Sequence, residues 1–91
     1  MPVYVDRPKH RYGRMIMCHM IADSLEELHW MADQIGVDRR WFQRNSSHPH
    51  YDICKSNRTK AIEAGALEVD RRELCHVMRR TRHLRTQAQS N

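Results

Sequence analysis

The run Met15-Ile16-Met17-Cys18-His19-Met20-Ile21 constrains this chain more than any other stretch. It is apolar at every position except His19. A continuous apolar run of this length, bounded by turn-forming and polar residues, suits a strand buried within a sheet. Lys9-His10-Arg11-Tyr12-Gly13-Arg14 before it reads as a basic loop, and Asp23 and Ser24 after it are helix-capping residues. The single polar side chain, His19, is either a hydrogen-bonded core histidine or part of a site.

Short alternating elements surround this strand. Val3-Tyr4-Val5 is a brief β-prone segment closed by Asp6 and Pro8. Ser24 and Glu27 have the spacing of a capping box, and Leu25, Leu28, Ala32 and Ile35 recur at helical intervals up to Gly36. Trp41-Phe42 is a short strand or an aromatic anchor in a loop. Ser56 is expected to cap a helix over 57–64 with Gly65 at its C′ position. Ala66-Leu67-Glu68-Val69 looks like a further buried strand. Asp70 and Glu73 form another cap-like pair, opening a helix that runs to about Arg82, with Leu74, Val77 and Met78 on one face.

Strands interleaved with helices predict an α/β or α+β fold, a small mixed sheet with about three helices packed on it. The loop between the first two strands is short enough for an antiparallel pair, and the helix before Leu67 returns that strand to the sheet by a crossover. The expected organisation is one domain over 1–83 and a polar, flexible tail over 84–91. The basic loop, the His50 segment and the Ser56 helix start are expected to meet at one edge.

With 91 residues the core is modest, which favours homo-oligomerisation as extra burial. The net charge of +5 favours anionic partners, although solubility alone accounts for such a balance. Cys18, Cys54 and Cys75 are odd in number and form no CxxC pair, which suits a reducing cytoplasm. The chain has no basic segment followed by an apolar one at its start, and no apolar run nears ~18 residues. The expectation is a soluble protein of the bacterial host cytoplasm with no membrane partner.

Chemistry concentrates in His48-Pro-His50-Tyr51-Asp52-Ile53-Cys54-Lys55-Ser56-Asn57-Arg58, where imidazoles, a carboxylate, a phenol, a thiol and two cations run into a helix start. The free N–H groups of a helix N-terminus attract anions, and Lys55 and Arg58 would flank them.

The ordered motifs Val3-Tyr4-Val5-Asp6, Cys18-His19-Met20-Ile21-Ala22-Asp23, Leu25-Glu26-Glu27-Leu28-His29, Trp41-Phe42-Gln43 and His50-Tyr51-Asp52 resemble a family of short bacterial and phage proteins. Ser56-Asn57-Arg58 and Ala64-Gly65-Ala66-Leu67-Glu68-Val69 continue the likeness, which runs from Val3 to about Leu74. The family is an uncharacterised domain of unknown function. The resemblance points to His19, Trp41, His50, Asp52 and Arg58 as positions to watch and implies little about activity.

Several chemical readings compete. His48-x-His50-x-Asp52 puts alternate side chains on one side of an extended strand, as in zinc hydrolases with an HxHxD pattern, and Cys54 continues the alternation. No separate ligand cluster completes such a site, with His19 only a remote ligand, so neither a metal nor a cofactor is expected. A metal-free phosphodiesterase would use His50 and His19 for proton transfer, Asp52 to orient a ring, and Lys55 or Arg58 against phosphate. A binding protein would need only a phosphate seat at Lys55, Ser56, Asn57 and Arg58, with Arg14 nearby and Trp41 or Tyr51 stacking on a base. The arginines from Arg71 to Arg85 suit nonspecific nucleic-acid contact, without a recognition motif. The preferred reading is a binder of a phosphorylated small ligand, most directly a nucleotide, acting as a phage sponge of a host nucleotide signal. The alternatives are a His-dependent phosphodiesterase and a nonspecific nucleic-acid-binding protein.

Overall fold

A computed structural model describes residues 2–90, with side chains described for 2–89. The outer ends of the expected domain and tail, Met1 and Asn91, lie outside the described residues. The fold is α/β, built on a mixed sheet of five strands: β1 (Val3–Val5), β2 (His10–Tyr12), β3 (Met15–Ala22), β4 (Tyr51–Cys54) and β5 (Leu67–Glu68). Among the described residues four α-helices accompany it: α1 (Leu25–Gln34), α2 (Lys55–Glu63), α3 (Arg71–Arg80) and α4 (Leu84–Ser90).

The apolar run is β3, the central strand. Met17 pairs with His10 of β2 on one side and Cys54 of β4 on the other. Met20 likewise pairs with Val5 of β1 and Tyr51 of β4. β1 and β2 therefore follow one another along one edge of β3, and β4 occupies the other edge. The antiparallel pairing of β1 with β3 is as expected, and β5 returns through α2 to lie parallel to β1.

Because side chains alternate along a strand, the sheet has two distinct faces. Val3, Val5, Cys18, Met20, Ala22, Tyr51 and Ile53 face a core closed by Leu28, Met31, Ala32 and Ile35 of the α1 region and Ala61 of α2. Burying a side chain the size of Leu28 or Met31 stabilises by about 1.5–3 kcal/mol. On the second face, Ile21 and Tyr4 pack against Val69 and the α3 residues Leu74, Val77 and Met78. α3 stops there, and the end of this face formed by β2, β3 and β4 is open.

Local chemistry explains most element boundaries. Ser24 caps α1 by accepting from the Glu27 N–H at 3.1 Å. Asp70 and Glu73 form a complete capping box at α3. Three expectations are corrected. The basic loop is half strand, because Gly13, with φ 60, sits first in the two-residue turn that folds His10–Tyr12 back on β3. α2 begins at Lys55 with Cys54 as N-cap, so Ser56 lies inside the first turn; β4 runs straight into the helix. The polar stretch after Leu84 is helical, with Leu84 and Ala88 buried.

Candidate functional site

The open end of the second face brings three histidines onto one carboxylate. On this face His10 lies across from Met17 and His19 across from Asp52, in adjacent rows of the sheet. The Nε2 atoms of His10, His19 and His50 lie 3.4, 3.9 and 3.3 Å from Oδ1 of Asp52. The His10 and His19 rings are 4.9 Å apart at their centroids, and those of His19 and His50 are 5.2 Å apart.

Two rings are held from behind. Asp6, on the stretch between β1 and β2, accepts the backbone N–H of His19 at 2.6 Å and its Nδ1 at 2.8 Å. Burial pushes the Asp6 carboxyl up, but the His19 hydrogen bonds outweigh it and hold the group below the usual carboxylate range. An ionised Asp6 can only accept, so Nδ1 of His19 carries the hydrogen and Nε2 points toward Asp52. The same bond to Asp6 raises the His19 pKa against the opposing effect of burial. His50 is fixed in a parallel way, its Nδ1 donating to the carbonyl of His48 at 2.7 Å. Its Nε2 is then the atom that meets Asp52, and the hydrogen bond from His50 lowers the Asp52 pKa despite partial burial.

This cluster opens onto a cavity of about 450 Å³. Its floor is apolar, with Tyr12, Met15, Met17 and Trp41, while His10, Asp52 and Cys54 bring polar groups to it. Tyr12, Met15 and Trp41 are exposed large hydrophobic side chains that line this cavity together. Cys54 Sγ lies 3.2 Å from Ser56 Oγ, and that hydrogen bond, with helix-start N–H groups, lowers the thiol pKa.

The residues singled out from sequence divide clearly. His19, His50 and Asp52 are together. Trp41, in a 3₁₀ turn over Arg39–Trp41, and Asn57, in the first turn of α2, line the cavity. Lys55 and Ser56 are exposed in the same turn, and Arg14 is exposed in the β2–β3 hairpin. Arg58 points elsewhere: its Nε donates to the Asp6 carbonyl at 2.8 Å and its Nη2 pairs with Glu68 at 3.0 Å. Tyr51 is fully buried on the core face, its hydroxyl 2.6 Å from Nδ1 of His29, so its ring offers no surface for stacking. His48 contributes its carbonyl, while its own Nδ1 lies 3.0 Å from Ser47 Oγ. Asp6 and His10 were not singled out. The available signal was the alternation His10-Arg11-Tyr12 ahead of a Gly turn, which puts His10 and Tyr12 on one side of a strand.

Fold and site together define a small mixed-sheet α/β domain whose histidine–aspartate centre stands at one end of a sheet-face cavity. The chain belongs to the family described as a protein of unknown function, DUF4031, whose family model matches residues 3–81. That match ends at the C-cap of α3, so α4 lies beyond it. No curated protein and no solved structure matches the chain. Among the described residues, no helix is long and apolar enough to cross a membrane.

Proposed function

We propose that the cavity binds a phosphorylated small ligand with a flat ring, most directly a nucleotide. The ring lies on the Tyr12, Met15 and Trp41 floor and the phosphate turns toward the histidines. One observation carries this reading: an exposed aromatic and methionine floor shares one cavity with His10 and Asp52 of the cluster. Aromatic faces stack on any base, at about 1–3 kcal/mol per base. Arg11 also lines the cavity and adds positive charge to its rim. A protein with this site alone would hold and sequester its ligand.

Hydrolysis of the bound phosphodiester is the second reading, and the fixed ring orientations favour it. His50 and His19 each have one nitrogen committed behind them and the other turned to Asp52, an arrangement suited to proton transfer at the Nε2 atoms. Simple sequestration requires no such alignment. The test is to incubate the purified protein with a panel of mono-, di- and cyclic nucleotides and analyse retained and released species by mass spectrometry. Intact retained nucleotide supports binding, and a protein-dependent product supports hydrolysis. A panel with neither retained nor altered members overturns both.

A further inference from the structure

We infer that His10, His19 and Asp52 form a binding site for a divalent first-row transition-metal ion, with its open coordination positions facing the cavity. The inference deepens the phosphate-ligand reading, since such an ion would take a phosphate oxygen in its open positions.

Four observations carry it. One ligand atom from each of His10, His19 and Asp52 lies within 4.8 Å of the others. The separations of 3.4 and 3.9 Å from Asp52 Oδ1 to the two ring nitrogens exceed the ~2.7–2.9 Å of a charge-assisted hydrogen bond. The shorter matches the ligand–ligand edge of about 3.4 Å that a tetrahedral centre with bonds of ~2.1 Å requires, and the longer is about half an ångström wider. The Asp6 carboxylate behind His19 Nδ1 fixes the tautomer that leaves Nε2 as a lone-pair donor. Metal-bound histidines commonly show this carboxylate–histidine arrangement. Finally, His50 brings a third ring nitrogen to the same carboxylate oxygen.

The donor set decides the class of ion. Two imidazoles and one carboxylate suit zinc, iron(II), cobalt or nickel, whereas calcium and magnesium prefer oxygen ligands throughout. The set differs from the His48-His50-Asp52 pattern legible in the chain. His48 is turned away, and His10 comes from a different strand. No metal was expected because the ligands are scattered over about 40 positions of sequence and only the sheet register gathers them.

The test uses the full chain, treated with chelator and titrated with cobalt(II) and zinc alone. One cobalt per chain is expected, with visible absorption from bound cobalt that zinc displaces. His10→Ala and Asp52→Ala should lose that signal while retaining their circular dichroism. Asp6→Asn should weaken uptake by about 10–100-fold, the usual effect of losing a histidine's outer partner. His76→Ala, on the exposed side of α3, should bind as the parent does. Failure of the folded parent to take up cobalt or zinc overturns the inference, as does undiminished uptake by both His10→Ala and Asp52→Ala. A nucleotide that binds equally well with and without metal leaves the ligand reading standing and removes the ion from it. Metal uptake without nucleotide binding does the reverse.

Discussion

Asp6 holds His19 at three points. Its carboxylate accepts both the backbone N–H and the ring Nδ1 of His19, and its own N–H donates to the His19 carbonyl at 3.3 Å. A buried carboxylate engaged this way is structural as well as electrostatic. Asp6→Ala is expected to destabilise the fold by about 1.5–3 kcal/mol, the range for hydrogen bonds to a charged group. Urea unfolding measures this, and an unchanged midpoint would show that the clamp adds nothing to stability.

Arg58 braces the same corner from the other side through the Asp6 carbonyl and Glu68. Arg58→Ala should therefore cost about 1–2 kcal/mol of stability, with ligand affinity in the folded variant changed less than threefold. A variant with parental stability and lost affinity would return Arg58 to the binding surface. The two effects separate in one pair of measurements, denaturant unfolding and titration calorimetry.

Trp41 is expected to behave in the opposite way. It is about half exposed, so Trp41→Ala should alter stability by no more than ~0.5 kcal/mol. Loss of a stacking partner should weaken a nucleotide by about 1–3 kcal/mol. Equal affinities in parent and variant would remove the aromatic floor from the ligand reading.

The pH response of stability should contain a component from His29. Its pKa is lowered in the fold, first by burial and then by Arg39, and its Nδ1 meets the hydroxyl of Tyr51. Burial pushes Tyr51 up to about 12, so the phenol stays a donor and His29 must be neutral to accept. The folded pKa lies below the unfolded value near 6.5, so the unfolded chain binds the proton more readily. The stabilisation is complete above about 6.5 and is lost as pH falls below it. His29→Gln should flatten the drop in unfolding midpoint between pH 7.5 and 5. His19, whose pKa is raised, acts in the other direction, so the comparison must be parent against variant. Parallel curves for the two proteins would count against this account.

Cys54 should be the cavity's chemical reporter. Its thiol pKa is lowered and it lines the cavity, whereas burial pushes Cys18 up to about 12 on the opposite face. Iodoacetamide should modify Cys54 far faster than Cys18, and bound nucleotide should slow that reaction. Peptide mass mapping over time gives both rates. Modification of Cys18 at the same rate would mean that the core opens readily.

The sequence made the frame legible because β3 and the capped helices follow strong local rules. Ser24, Asp70 and Gly65 act at their own positions, and the Met15–Ile21 run is apolar and short enough to read as a strand. The site was legible in part, since His19 interrupts an apolar run and His50 and Asp52 share a dense segment. His10 and Asp6 were not, because their roles come from register: His10 reaches the cluster only through the Gly13 hairpin, and Asp6 only through the stretch that follows β1. Tyr51 and Arg58 were misplaced for a related reason. Strand parity turns Tyr51 inward beside an outward Asp52, and a tertiary carbonyl captures the Arg58 guanidinium. Neither outcome is visible in side-chain type alone.

The alternation of β3 makes the site intolerant of a change in chain length. Inserting or deleting one residue between Met17 and Met20 would exchange inside for outside beyond that point, sending an imidazole into the core or Cys18 and Met20 into the cavity. Substitutions within the strand can be absorbed one side at a time, but a single frame step cannot. Added or lost residues are therefore expected to be tolerated only in the turns that flank the sheet, such as the mostly exposed stretch from Arg44 to Ser47.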